Sequence, residues 1–97
     1  MVIYDDFFTW DETKNKSNAV KHGVTFQEGS TVFKDSNAVV LDDYLHSDDE
    51  ERFIIIGRSE RQRILMVCHC FRGNDELIRI ITARKAVKAE RKLYGGD

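Results

Sequence analysis

Four short runs of apolar and β-branched residues follow one another through the second half of this chain with no helical segment between them. They are Val39-Val40-Leu41, Phe53-Ile54-Ile55-Ile56, Ile64-Leu65-Met66-Val67 and Leu77-Ile78-Arg79-Ile80-Ile81. Turn material separates them: an acidic loop, Gly57 to Gln62, and Arg72-Gly73-Asn74-Asp75. A parallel crossover needs a dozen or more residues, usually helical, so runs this close are expected to pair as antiparallel hairpins. A sheet with one apolar face must then be covered, and the N-terminal part of the chain supplies the cover.

There, Thr9-Trp10-Asp11-Glu12 has the Thr-x-x-Glu spacing of a capping box, and either Thr9 or Asp11 can accept from the free amides of a helix start. The helix is expected to run to about His22 and stop at Gly23, which tolerates a left-handed cap. Thr25-Phe26-Gln27-Glu28 repeats the device and opens a shorter helix ending near Lys34, with Phe26, Val32 and Phe33 toward the core and Gly29 as a weak point. Phe7 to Trp10 is a candidate edge strand. Thr82 to Tyr94 reads as a last helix, with Ala83, Ala86, Val87 and Tyr94 on one face and Arg84, Lys88, Arg91 and Lys92 on another. The expected order is β-α-α-β-β-β-β-α, an α+β domain with helices packed on an antiparallel sheet. With 97 residues, no proline and no repeat, residues 1–97 are read as a single domain.

Composition excludes several classes. At 41% hydrophobic and 33% charged residues the chain is neither fibrous nor disordered. No apolar run approaches the ~20 residues that cross a bilayer, and no secretory signal stands at the N-terminus. Cys68 and Cys70 sit one residue apart, where a disulfide would distort a strand, so reduced thiols in the cytoplasm are expected. The net charge of −2 conceals a split: residues 1–51 hold 12 Asp/Glu against 4 Lys/Arg, and residues 52–97 hold 5 against 11. A chain polarised in this way can present a basic surface to a polyanion, unless the fold interleaves its halves.

Strand alternation puts Arg52, Ile54, Ile56 and Arg58 on one side of the second run, Arg63, Leu65, Val67, His69 and Phe71 on one side of the third, and Leu77, Arg79 and Ile81 on one side of the last. If the registers bring these sides together, Arg58, Arg63, His69 and Arg79 project from one sheet face, with Arg84 beyond its rim. Guanidinium groups gathered so would grip phosphate bidentately and stabilise charge building on a phosphorane. Arg79 is the most informative, because it interrupts a strand that otherwise reads as buried on both sides, and a permanent charge there needs a partner or a wet cleft. His22, His46 and His69 are the residues that titrate near neutrality. The acidic loop around Asp48 and Asp49 lacks the central glycine and alternating ligands of a calcium loop, and Cys68-His69-Cys70 lacks the second pair that a zinc site requires. No metal and no cofactor is expected.

Several pieces come in order along nearly the whole chain. They are Trp10-Asp11-Glu12-x-Lys14-Asn15-x-x-Asn18, Lys21-His22-Gly23-Val24-x-Phe26, Val32-Phe33-x-Asp35, His46-Ser47-x-x-x-Glu51-Arg52, Ile56-Gly57-Arg58-Ser59, Ile78-Arg79-Ile80-Ile81-Thr82-Ala83-Arg84-Lys85-Ala86 and Glu90-Arg91-x-x-Tyr94. Together they resemble the BrnT family of bacterial type II toxins. The departures are small: Thr82 stands where serine is usual, and Gly29 where a helix former is usual.

The resemblance implies a RelE-like fold and a metal-independent endoribonuclease that blocks translation. It also implies a ribbon-helix-helix antitoxin of the BrnA type, through which the pair contacts operator DNA. The residues it singles out are Lys21, His22, Arg58, Arg79, Arg84 and Tyr94; Arg63, His69 and Lys88, taken from the strand and helix faces rather than from the resemblance, are the expected further RNA contacts. Such an enzyme needs no metal, because RNA carries its own nucleophile, the 2′-hydroxyl. The protein supplies a base, an acid and cations for the transition state. Two rival expectations remain: a non-catalytic module whose basic sheet face docks an acidic antitoxin segment, and a metal nuclease built on the acidic loop.

Overall fold

The computed structural model describes residues 2–4, 7–43, 50–74 and 76–95. Strands β1 (Val2–Tyr4) and β2 (Phe8–Asp11) lead into helices α1 (Glu12–His22) and α2 (Phe26–Thr31), the latter continued by a 3₁₀ turn over Val32–Lys34. Strands β3 (Val39–Asp42), β4 (Phe53–Arg58), β5 (Ile64–Arg72) and β6 (Leu77–Lys85) follow, and helix α3 (Lys88–Leu93) is the last element among the described residues. Among the described residues no helix is long and apolar enough to cross a membrane.

The helix starts and stops follow local chemistry. Asp11 caps α1, its Oδ1 accepting from the amides of Thr13 at 2.8 Å and Lys14 at 3.3 Å. Gly23 ends it at φ 70°, which costs glycine nothing. Thr25 caps α2 by accepting from the Glu28 amide at 3.1 Å.

The sheet runs β1-β2-β6-β5-β4-β3. The four strands expected from the apolar runs are joined in antiparallel fashion, β3 to β4, β4 to β5 and β5 to β6. Three expectations change. The strand at Phe7–Trp10 is not at the edge, because β1 pairs along its outer side. It also lies parallel to β6, with Phe8 beside Ile78 and Thr9 beside Arg79, so the sheet is mixed. Finally, Thr82 to Lys85 belong to β6 rather than to the last helix. The nine-residue β5 offers them a full ladder, with Val67 opposite Ala83 and Met66 opposite Arg84, and this pairing overrides their helical preference.

One face of the sheet is closed by α1 and α2. Trp10, Val24, Phe26, Leu65, Val67 and Ala83 are buried there, and the indole of Trp10 meets the Phe26 ring edge-on. Gly29, a weak point when judged by propensity, is where α2 touches the sheet: a Cβ there would lie 3.2 Å from that of Ala83.

Beyond Arg79 no further β2 residue pairs with β6, and a side chain of α1 takes over. Asn18 donates from Nδ2 to the Ala83 carbonyl at 2.7 Å and accepts from the Ala83 amide at 3.3 Å. The same Nδ2 donates to the Val24 carbonyl at 2.8 Å. One carboxamide thus stands in for a neighbouring strand and also ties down the α1–α2 turn. Replacing Asn18 with Leu strands three buried backbone groups and should cost about 3 kcal/mol. Urea unfolding should show a lower midpoint with an unchanged slope, whereas Lys16→Ala, on the exposed side of α1, should stay within about 0.5 kcal/mol of the parent.

Candidate functional site

The registers divide the predicted residues between the two faces. Arg58 pairs with Ile64, while Phe53, Ile55 and Gly57 pair with His69, Val67 and Leu65. His69 and Arg63 therefore lie with the buried residues under the helices, and Arg58 lies on the opposite, open face. Arg79, opposite Cys70, and Arg84, opposite Met66, join Arg58 there. A β-bulge between Cys68 and His69 makes this possible: Cys68 pairs with Thr82 and His69 with Ile80, so Ile81 is an extra residue. The expected single face of Arg58, Arg63, His69 and Arg79 is thus corrected, since alternation along one strand does not specify which side of its neighbour it meets.

The residues under the helices are already engaged. Arg63 donates from Nε to Oε2 of Glu28 at 2.9 Å, forms a second, very short contact from Nη2 to Oε1, and donates to the Gly23 carbonyl at 3.2 Å. Ser59 completes the cluster, its hydroxyl donating to Glu28 at 2.7 Å. The Arg63 hydrogen bonds hold the Glu28 carboxyl below the ordinary glutamate range, against the opposing effect of its burial. His69 is 2% exposed, packed edge-on against Phe33 and Phe71, and burial pushes its pKa down, so it is a neutral core residue with no surface for RNA. The Cys68 thiol is raised to about 12 by burial and by neighbouring Asp43, which removes it as a nucleophile. Among the described residues no group of three or more His, Cys, Asp or Glu side chains could hold a metal. His46, Asp48 and Asp49 lie outside the described residues.

On the open face the three arginines have different company. The Arg84 guanidinium forms a two-pronged pair with Glu90 of α3, at 2.8 and 2.9 Å. Burial works against ionisation of Glu90, but the Arg84 hydrogen bonds and the Val87 amide outweigh it and keep it a carboxylate. Arg84 also lines a cleft of about 350 Å³ with Asp43, Arg52, Met66, Cys68 and Thr82. Arg58 holds its guanidinium carbon 5.9 Å above the ring of Tyr94, whose hydroxyl donates to Asp35 at 2.5 Å. Arg79 is half-buried, and among the described residues no carboxylate pairs with it. Its neighbour on β2, Thr9, carries a buried hydroxyl without a partner.

Five residue steps of about 3.3 Å each separate Arg79 from Arg84, so the three arginines occupy a track along the face rather than one pocket. Lys21 and His22 sit on the other side of β6, at the end of α1. With Ser17, Ile81 and Thr82 they line a cleft of about 210 Å³. Ile81 and Thr82 line the Arg84 cleft as well, so these two clefts adjoin across β6. Lys88 is exposed on the first turn of α3. The structure therefore brings Lys21, His22 and Arg84 to one stretch of β6 and joins Arg58 to Tyr94. It leaves Arg79 at the far end of the face. Glu28 is expected from the sequence only as the glutamate of a capping box, and its carboxylate instead holds Arg63 and Ser59, while Asp35 and Glu90 receive no role from the sequence; their motifs are visible, but the contacts that give them one are long-range or depend on where α3 begins.

The sequence profile described as "Ribonuclease toxin, BrnT, of type II toxin-antitoxin system" matches residues 10–90. This chain belongs to the BrnT family of ribonuclease toxins, and a type II system implies an antitoxin partner. Among solved structures, the 1.1 Å crystal structure of the Brucella abortus ribonuclease toxin BrnT is similar. It has a TM-score of 0.61 and 26% sequence identity, over 81% of this chain and 94% of the Brucella chain. Comparison with curated protein sequences gives no match.

The Glu28 cluster makes a prediction about acid stability. Because its carboxyl titrates lower in the folded chain than in the unfolded one, its contribution is complete above the ordinary glutamate value of about 4.3 and is lost as pH falls through the lower folded value. Glu28→Gln should flatten that acid limb of thermal stability. Glu28→Ala, which leaves Arg63 and Ser59 without their acceptor, should cost about 3 kcal/mol at pH 7.

Proposed function

We propose that this chain is a metal-independent endoribonuclease that cuts RNA through the 2′-hydroxyl, inhibits translation, and is neutralised by a BrnA-like ribbon-helix-helix antitoxin that carries the pair to operator DNA. Membership of a ribonuclease-toxin family supplies the reaction class, and the fold is read as RelE-like. The observation that carries the reading is the open sheet face: Arg58, Arg79, Arg84 and Tyr94 stand on one side of a sheet whose other side is closed by helices.

In this reading RNA lies along that face. The 2′-hydroxyl attacks the adjacent phosphorus in line as a base takes its proton, and the 5′-oxygen leaves with a proton from an acid. Arg84 and Arg58 neutralise the charge that grows on the phosphorane oxygens, and Arg79 binds a phosphate further along the strand. Lys21 or His22, across β6 from Arg84, transfers a proton or contacts phosphate, and Lys88 extends the basic track. Tyr94 stacks on a base or donates the proton to the leaving oxygen. Glu90 holds the Arg84 fork in a fixed plane until phosphate competes for it. Arg63 and His69, occupied beneath the helices, are left out of the RNA contacts in this scheme.

The test is cleavage of a labelled RNA by the purified chain in excess EDTA. Fragments ending in 2′,3′-cyclic phosphate are expected, and Arg84→Ala should slow the reaction about 100-fold while still binding its antitoxin. Cleavage that appears only when Mg²⁺ is restored overturns this mechanism.

A further inference from the structure

We infer that Asp35 is the positioning residue of the open face, one carboxylate that fixes Tyr94 and Arg58 relative to each other; the inference rests on the ribonuclease reading above. Asp35 follows the 3₁₀ turn after α2, on a different part of the chain from either residue it holds. Its Oδ1 accepts from the Asn37 amide at 2.9 Å, which fixes the carboxylate plane. Its Oδ2 accepts twice, from the Arg58 amide at 2.8 Å and from the Tyr94 hydroxyl at 2.5 Å. One oxygen therefore joins the end of β4 to the end of α3, and the Arg58 guanidinium is carried over the Tyr94 ring as a result.

Two further observations point the same way. First, α3 has six residues and none of them is buried, so apart from the packing of Tyr94 on the Ile56, Met66 and Ala86 cluster its place on the sheet is set by a few polar contacts. These are the Arg84–Glu90 pair, a hydrogen bond from Arg91 to the Ala86 carbonyl at 2.8 Å, and the Tyr94–Asp35 bond. Second, the approach of Asp35 to β4 depends on Gly57. A Cβ at that position would lie 2.8 Å from Val32 Cγ1, 3.1 Å from Ala38 Cβ and 3.4 Å from Asp35 Oδ2. The Ile-Gly-Arg-Ser motif thus combines a gap that admits the carboxylate with the arginine it orients.

The electrostatics keep the phenol protonated. A hydrogen bond to an ionised acceptor is about twice as strong as a neutral one. The Asp35 hydrogen bond raises the phenol above its ordinary range, with burial adding to the rise and Arg58 opposing it. Lys34 and Glu60 are the other charged side chains lining the adjoining cleft. Tyr94 is thereby held as a neutral phenol whose proton is directed at Asp35, and its ring is kept from rotating away with α3.

The experiment compares the full-length chain with Asp35→Asn, Tyr94→Phe and the double variant. Asparagine keeps one of the two acceptor oxygens, enough for the Arg58 amide and the Tyr94 hydroxyl but not for the Asn37 amide as well, so Asp35→Asn is the milder variant to rely on should Asp35→Ala fail to fold. Ultraviolet titration of the phenols, with Tyr94→Phe subtracted to isolate Tyr94 from the other two of the chain's three tyrosines, reports its ionisation. In Asp35→Asn that ionisation should move to lower pH, and RNA-cleavage turnover should fall about tenfold with little change in KM. The double variant should be no slower than Tyr94→Phe alone. A shifted titration with unchanged turnover, or a double variant whose defect is the product of the two singles, overturns the positioning role while leaving the ribonuclease reading intact. Wild-type chain that fails to cleave RNA at all overturns both.

Discussion

The carboxamide of Asn18 is the joint on which this architecture depends. The sheet loses its parallel neighbour half-way along β6, and an unpaired buried strand edge costs free energy for every amide and carbonyl it exposes. A single side chain from α1 answers the amide and the carbonyl of Ala83 and the carbonyl of Val24 together. Asn15, one turn earlier, accepts from the Phe26 amide at 2.8 Å and so sets where α2 begins. Two asparagines thus hold the helical layer against β6 by directed bonds, and the apolar contacts of Trp10, Phe26 and Val67 fill the space these bonds define. Hydrophobic burial supplies most of the driving force, but it has no direction; the amides give the layer its register.

That layer decides which residues are available for chemistry. Everything under α1 and α2 is committed to structure, including the ionised pair of Glu28 and Arg63, whose charges would be costly if separated. The open face escapes this cover because only the short α3 lies near it, and there the polar side chains keep their contact with solvent. Charges on the two faces consequently behave differently. Arg63 is spent on holding a loop, whereas Arg84 and Arg58 are held by partners that leave one side of each guanidinium toward a cleft.

Much of this was legible in the sequence. The two capped helices, the glycine that ends the first and the four strands were marked by local signals, because caps and turns act over three or four residues. Residues 82–85 were misread for the same reason: Thr-Ala-Arg-Lys favours helix locally, and only the length of β5 shows that it is extended. Strand β1 is three residues long and carries too little pattern to register. The parallel pairing of β2 with β6 joins segments from opposite ends of the chain. The partnership of Arg63 with Glu28, 35 residues apart, has no sequence signature either. The candidate site was legible as a set of residue types but not as a geometry, because its geometry is written in registers.

The bulge at Ile81 has a consequence for how such faces evolve. Arg79 and Arg84 are an odd number of positions apart, so in an unbroken strand their side chains would point to opposite sides of the sheet. The supernumerary residue resets the parity, and both guanidinium groups emerge together. Losing one residue from this strand would leave every amino acid of the basic track in the chain while turning part of it into the core. The surface of this protein is thus governed by a count as well as by a composition.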